Sequence, residues 1–350
     1  MTYFKRYFTY RLRATAFRTL ILSILAAVLS NAITSVSVNV SGYDSGMGII
    51  GVFISIAAIL VPMLETYQLK QRRTLDLVFA LPVTKSQLAV AHFLSGLCQM
   101  ATVSVVTCLS TMVAIAAKNP QVIRRECEPY VIGWIIPYFL LTLLGGIFLY
   151  SVVTFLFSQG NTVGDGAVFA IGVPGGFALL CWYIESMISN YFALSERING
   201  EIIELANCFS LIYEPYRYFR FLVEPEWFAE ENIWRRPTFL PSALSIVSCV
   251  LWILFGIAAF FGFVHHVKSY RAEKAGGISD SFFGYRVLIP LYGCILIAMN
   301  GLNIDGVFLT FVLVAMVVAY FVYRRSFRIK YADIACVVFA FLTVFTGGVL

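Results

Sequence analysis

The sequence predicts an all-α protein that crosses a membrane several times. Of its 350 residues, 60% are hydrophobic and only 13% are charged, and the mean hydropathy is +0.83. Apolar runs recur along the whole chain, and most are long enough to cross a bilayer as a helix. Because lipid offers no hydrogen-bond partners, a spanning segment must satisfy its own backbone groups, which favours helices. This composition excludes a soluble domain.

Nine apolar segments are predicted to span the membrane. Six of them form one unit, over residues 19–40, 47–64, 88–117, 130–157, 162–184 and 242–264, and three more follow at residues 287–299, 307–323 and 334–350. In the fifth span, glycine and proline at positions 172–176 are expected to interrupt the helix. The predicted units are an N-terminal segment 1–18, a six-span core 19–270, a linker 271–286 and additional transmembrane helices 287–350.

The N-terminal segment 1–18 is basic and rich in tyrosine and phenylalanine. This pattern predicts an amphipathic elbow helix on the cytoplasmic surface of the membrane, with a flexible basic tail as the alternative. In the nine-span topology with the N-terminus in the cytoplasm, 17 of the 25 Lys and Arg residues lie inside and 8 outside. That bias has the sign of the positive-inside rule. We expect a multi-pass protein of the cell membrane, and the bias explains the net positive charge without nucleic acid as a partner.

The loop at residues 65–88, between spans two and three, carries the most informative pattern. It begins with Glu65 and a basic stretch, continues with apolar residues near helical spacing, and reaches Pro82, which ends a helix because it lacks an N–H group. Thr84 and Gln87 have the spacing of a capping box for the next helix. An ordinary interfacial turn is the plain alternative. The residues singled out are Glu65, Arg72, Arg73, Leu75, Val78, Phe79, Leu81 and Pro82.

This loop resembles the coupling loop of type-2 ABC exporter permeases. That family has an acid near the end of span two, a basic stretch, and the signature LPV-[ST]-[KR]-x-x-[IL], which here runs from Leu81 to Leu88. Relatives often carry a lysine where this chain has His92. The resemblance implies a six-helix permease core, and it implies that a short coupling helix at residues 74–81 docks on a separate ATPase. It also implies a second permease copy or paralogue, contacts with membrane lipids, and ATP and Mg²⁺ on the partner subunit.

The function implied is export, or extraction from the membrane, of a lipid, peptide or drug-like molecule. The chain has no G-x-x-x-x-G-K-[ST] motif, so we expect no ATPase activity and no cofactor of its own. An ion-coupled secondary transporter is the alternative, and it would place acids and broken helices at the membrane midplane. Asp165 is the candidate for such an intramembrane site, although its position near a turn also suits an N-terminal dipole role. No polar constellation for an intramembrane enzyme is visible, and no metal site is predicted.

Two further segments carry expectations. Residues 185–240 contain nine Glu, five Arg and many aromatic residues, which predicts either a folded extracytoplasmic cap or a solvated loop. Cys127 and Cys208 fall in predicted outer segments, where a disulfide between them is one alternative to free thiols. The stretch RAEKAGGISDSFFGYRVLIP, which begins at Arg271, resembles a junction in a Gram-positive-like subgroup of these permeases. It is expected to link the core to the C-terminal helices on the cytoplasmic side.

Overall fold

The computed structural model is all-helical over the residues that it describes. These are residues 2–41, 43–71, 74, 79–118, 130–192, 243–270, 273, 275–277, 279, 281, 284–299, 306–324, 331, 334, 337 and 338. The helices within them are α1 (Thr2–Ser41), α2 (Tyr43–Thr66), α3 (Lys85–Lys118), α4 (Tyr130–Gln159), α5 (Val163–Phe192), α6 (Ala243–Ser269), α7 (Tyr285–Met299) and α8 (Gly306–Arg324). A short 3-10 turn, Tyr67–Lys70, follows α2.

The helices are those of a multi-pass membrane protein. Within the described part of the chain, five stretches are long and apolar enough to cross a bilayer: Tyr3–Val36, Gly48–Lys70, Lys85–Ile115, Ile136–Gln159 and Cys249–Ser269. Three shorter apolar helices lie at Val163–Leu179, Tyr285–Leu296 and Val307–Tyr323. Their outer faces expose many leucine, isoleucine and valine side chains. In a membrane these faces contact lipid tails, which are as apolar as the side chains.

The core lies between α2, α3, α4 and α6. Small residues allow close approach: Ala58 and Ala89 are fully buried beside Val153 and Phe263. A Cβ on Gly96 would overlap the side chain of Tyr150. Small residues at such contacts are typical of helix packing in membranes, where backbones approach closely to gain van der Waals contact. Helix α1 packs along α3 and α2 at the edge of this core, and α5 packs on α4.

The C-terminal helices pack against α5. Helix α7 contacts α5, and α8 contacts α7. The contact passes over the glycines of α5, because a Cβ at Gly172 would meet Leu288 at 3.2 Å and one at Gly176 would meet Leu291 at 2.6 Å. The small-residue pair 172/176 therefore provides the surface on which α7 lies.

One end of the bundle carries three connections that touch each other. They are the α2–α3 loop (residues 67–84), the α4–α5 turn (residues 160–162) and the segment from residue 270 to 284. We call this end the loop end. The N-terminal part of α1 and the C-terminal end of α8 also lie there, since Arg11 contacts Gln68 and Tyr323 donates a hydrogen bond to the carbonyl of Ser279. The basic segments that the sequence predicts on the cytoplasmic side therefore lie at the same end of the bundle, as far as the structure describes them.

Several predicted boundaries differ from the structure. Residues 2–18 continue into the first span as one helix, so no separate elbow helix ends at residue 18. The turn expected at residues 41–46 is shorter, because α2 begins at Tyr43. Helix α5 runs without interruption through Pro174 to Phe192, so the predicted break is absent. Cys127, Cys208, the remainder of segment 185–240 and most of the predicted ninth span lie outside the described residues.

Candidate functional site

Glu65 is the centre of a buried polar network at the base of the α2–α3 loop. It lies in the last turn of α2, and its side chain is 0% exposed. Oε1 accepts hydrogen bonds from Nη2 and Nε of Arg11, at 2.6 and 3.2 Å. Oε2 accepts a hydrogen bond from Nη2 of Arg18. Both arginines belong to α1, where they are seven residues apart and therefore lie on the same helix face. The carboxylate thus joins α1 to α2 through two ion pairs.

Two glutamines complete the pairing around this carboxylate. Nε2 of Gln99, on α3, donates to Oε2 of Glu65 at 3.0 Å, and its Oε1 accepts from Nη2 of Arg18 at 2.8 Å. Nη1 of Arg11 donates to Oε1 of Gln68 at 2.7 Å. A buried charge is costly unless it is paired and its remaining hydrogen-bonding capacity is satisfied. Here the partners come from α1, from the loop and from α3. If any of these elements moved away from the others, a buried charge would be exposed.

His92 joins the same network from α3. Its Nδ1 atom lies 3.2 Å from both Nη2 of Arg11 and the backbone oxygen of Glu65, and its Nε2 atom lies 3.1 Å from the hydroxyl of Tyr7. A neutral imidazole carries one N–H, so Nδ1 either accepts from Arg11 or donates to Glu65. The hydroxyl of Tyr7 must take the complementary role at Nε2. His92 thus extends the network to the start of α1.

The 3-10 turn after α2 is fixed by a buried lysine. The Nζ atom of Lys70 donates to the backbone oxygen of Ser158 at 2.5 Å and to that of Gly160. These carbonyls lie at the C-terminal end of α4, where an ammonium group interacts favourably with the helix dipole. The Lys70 ammonium also lies 5.7 Å from the ring centre of Phe157 and 5.6 Å from that of Tyr270. The loop is therefore fastened to the α4–α5 turn as well as to α1.

The second half of the loop is held by Lys85. Its Nζ atom donates to the backbone oxygen of Tyr270 at 2.8 Å and lies 4.4 Å from the ring centre of Phe79. Burial raises the pKa of the Tyr270 hydroxyl to about 12, so this side chain is neutral at physiological pH. The backbone N–H of Gln87 donates to Oγ1 of Thr84, and the N–H of Thr84 donates to Oε1 of Gln87. The predicted capping box is confirmed, and it starts α3 at Lys85.

The predicted partner-binding residues that the structure describes fall into three groups. Glu65 is buried and organises the network. Phe79 is half-buried and packs against the core and against the Tyr270 cluster, so it supports the loop from inside. Leu81 is 39% exposed and Pro82 is exposed next to it, so a partner protein can reach them. Arg72, Arg73, Leu75 and Val78 lie outside the described residues, as does half of the predicted helix at residues 74–81.

Asp165 lies in the first turn of α5, close to the loop end. Its backbone N–H donates to Oγ1 of Thr162 at 3.0 Å, and its Oδ1 accepts from the hydroxyl of Tyr285 at 2.8 Å. A carboxylate in the first turn is stabilised by the helix dipole. The position of Asp165 therefore fits the helix-dipole role that the sequence suggested. Its hydrogen bond with Tyr285 connects α7 to the start of α5.

The linker after α6 docks on the α4–α5 turn. The N–H of Gly276 donates to the backbone oxygen of Asn161 at 2.9 Å, and Oγ of Ser279 donates to that of Gln159 at 2.7 Å. Gly276 has a φ of 82°, a conformation that costs other residues more than it costs glycine. The linker thus connects the C-terminal helices to the same turn that Lys70 contacts.

The described residues include no group of three or more His, Cys, Asp or Glu side chains placed to hold a metal ion. No family model, no curated protein and no solved structure matches this chain. The fold and the network described above are therefore the grounds on which a function can be argued, together with the motif in the α2–α3 loop.

Proposed function

We propose that this chain is the membrane-spanning permease subunit of an ABC exporter. In this proposal the first six helices form a type-2 permease core, and the later helices are an addition to it. The loop end faces the cytoplasm and receives an ATPase subunit that binds ATP and Mg²⁺. The permease acts with a second copy or a paralogue and moves a lipid, peptide or drug-like molecule out of the cell or out of the membrane.

One observation carries the proposal: polar contacts hold the α2–α3 loop at both ends, while Leu81 and Pro82 remain accessible. Glu65 fixes the start of the loop to α1, and Lys85 fixes its end to Tyr270. Between them, the apolar side chain of Leu81 is 39% exposed next to Pro82. A force applied to such a loop passes to several helices, because each fastening is a buried or partly buried polar contact. That is the property required of an element that transmits ATP hydrolysis to membrane helices.

The test is site-specific crosslinking in the membranes of the source cell. A photo-crosslinking amino acid at Leu81 should capture a cytoplasmic protein that carries ATP-binding motifs, identified by mass spectrometry. The matched control places the same group at Lys268, which is exposed near the loop end but belongs to α6. Capture of an ATPase at both positions in equal yield would indicate proximity without docking. Capture at neither position would contradict the proposed function.

An ion-coupled secondary transporter is the second candidate, and one observation favours it. Glu65 and His92 are titratable groups buried inside candidate spans and in contact with each other. Against this, both oxygens of the carboxylate are occupied by arginines, and the broken helix expected for such a transporter is not seen in α5. Reconstituted protein without any ATPase distinguishes the two candidates: substrate movement driven by a proton or sodium gradient alone would favour the second.

A further inference from the structure

The four arginines of α1 divide into two pairs with different surroundings. Arg11 and Arg18 face the protein and bind Glu65. Arg6 and Arg13, also seven residues apart, are exposed, and they make no ion pair among the residues described. Seven residues make almost two helical turns, so each pair occupies one side of the helix, with its members roughly 10 Å apart along the axis. Within the described part of the chain, the outer pair therefore carries positive charge that no acidic side chain pairs.

Exposed aromatic side chains accompany the outer arginines. Tyr3, Tyr10 and Phe17 are 60%, 64% and 73% exposed, and with Arg6 and Arg13 they alternate at steps of three or four residues along one face. Tyrosine is enriched at membrane–water interfaces because its ring is apolar and its hydroxyl is polar. Such a face matches the headgroup region of a bilayer better than it matches water or the hydrocarbon.

The same face becomes purely apolar further along α1. Ile21, Ile24 and Val28 continue the stripe with 49%, 55% and 61% exposure. One stripe thus passes from basic and aromatic residues at the loop end to aliphatic residues deeper in the helix. This order follows that of a phospholipid, from headgroup to acyl chain. A soluble protein partner would not require the aliphatic continuation.

We propose that Arg6 and Arg13 form a binding site for the phosphate groups of anionic phospholipids, with Tyr3 and Tyr10 beside them. Guanidinium groups bind phosphate oxygens in pairs of parallel hydrogen bonds, and a negative net charge on the headgroup strengthens the attraction. Because Arg11 and Arg18, on the neighbouring face, hold the base of the α2–α3 loop, lipid bound to the outer face contacts the helix that supports this loop. The inference holds whether or not a partner ATPase exists.

The experiment measures lipid binding to the purified full-length protein in detergent. Phosphatidylglycerol, phosphatidylcholine and inorganic phosphate are added separately, and retained lipid is counted by native mass spectrometry alongside the thermal midpoint. Each basic residue near a negative surface contributes roughly a fivefold change in affinity, so Arg6→Gln with Arg13→Gln should weaken phosphatidylglycerol binding roughly 25-fold. Lys268→Gln, which removes one charge from the end of α6 and none from the outer face of α1, should change it by no more than the roughly fivefold expected of one charge near the surface.

Three results would overturn the inference. Phosphatidylglycerol binding by the double variant within twofold of the original protein would exclude these arginines as the site. Equal binding of phosphatidylcholine would exclude selection by charge. Equal thermal protection by inorganic phosphate would indicate a site for free anions instead of lipid. Arg6→Lys with Arg13→Lys keeps both charges but not the paired hydrogen bonds, so it should bind phosphatidylglycerol more tightly than the glutamine variant and less tightly than the original protein.

Discussion

Replacing Arg11 by methionine should destabilise the protein more than any exposed substitution on the same helix. Arg11 is 6% exposed and donates to Glu65 and Gln68. Methionine fills a similar length but removes the charge and every hydrogen bond. Glu65 then keeps Arg18 and Gln99 as hydrogen-bond partners for its carboxylate, with Nδ1 of His92 3.6 Å from Oε1. The side chain of Gln68 loses a donor at the same time.

The expected magnitude follows from the burial of the pair. Removing one partner of a buried ion pair costs about 3–5 kcal/mol, because the other charge is left without compensation. Arg18 still neutralises Glu65, so we expect the lower end, about 3 kcal/mol, which corresponds to a thermal midpoint lower by about 5 °C or more. Glu65→Gln should cost a comparable amount, since two guanidinium groups then lack a carboxylate. The double variant should cost less than the sum by about 1–3 kcal/mol, because the two residues contact each other directly.

The assay is the fraction of monodisperse protein that survives heating in detergent, followed by fluorescence-detected size-exclusion chromatography. Lys5→Met is the matched control, because Lys5 is an exposed basic residue on the same helix and makes no ion pair among the residues described. Its midpoint should stay within about 1 °C, as expected for surface substitutions within about 0.5 kcal/mol. If Arg11→Met behaves like Lys5→Met, or if the double variant equals the sum of the single ones, the network does not hold these helices together.

Three further outcomes follow from the loop end. Lys70→Met should lower the thermal midpoint by an amount corresponding to about 1–3 kcal/mol, because two buried carbonyl groups lose their donor, while Lys268→Met should leave the midpoint unchanged. Gly276→Ala should cost about 1 kcal/mol because its φ is positive, whereas Gly164→Ala, where an added Cβ would meet no atom closer than 3.9 Å, should cost less; comparing the two midpoints measures the strain. A single cysteine at Leu81, in a background without native cysteines, should react with a membrane-impermeant maleimide in inside-out vesicles, and labelling in intact cells would reverse the assigned orientation.

The helices could be predicted from the sequence because apolar runs of sufficient length have few alternatives in a membrane. Those from α2 to α8 begin or end within a few residues of the predicted spans, apart from the far end of α5. The break expected at Pro174 is absent, because a helix in lipid tolerates a proline when neighbouring groups satisfy the freed backbone. The separate N-terminal helix was also wrong: basic and aromatic residues at positions 2–18 indicate the surface of a membrane, but they contain no helix terminator.

The polar network was only partly predictable. The position of Glu65 at the end of a span suggested a basic partner nearby, but the pattern did not identify which of the 25 Lys and Arg residues would supply it. The pairing depends on how α1 packs against α2 and α3, and this is a long-range property. One local signal was available: Arg11 and Arg18 are seven residues apart, and so are His92 and Gln99. This spacing places each pair on one helix face, but it does not identify the inward face, because the exposed Arg6 and Arg13 share it.

Phe79 shows that apolar residues in a loop do not by themselves identify a partner-binding surface. Its spacing suggested an anchor for a partner protein, yet it packs inside the chain under Lys85. Periodicity identifies apolar side chains but does not say whether they contact their own protein or another one. Leu81, two residues later, lies in a bend and is the one of this pair that remains accessible.

The central claim is that the α2–α3 loop binds an ATPase through Leu81, and co-purification tests it most directly. The tagged chain is isolated from its own cells under mild conditions, in the original form and as Leu81→Asp, and the ATPase retained with it is quantified. We expect the original protein to bring down an ATP-binding subunit. With the Leu81→Asp variant, the amount of ATPase retained should fall at least about tenfold, since one buried anchor contributes about 2 kcal/mol or more. The thermal midpoint of the permease should stay the same. The same amount of ATPase with both forms, or none with either, would contradict the claim.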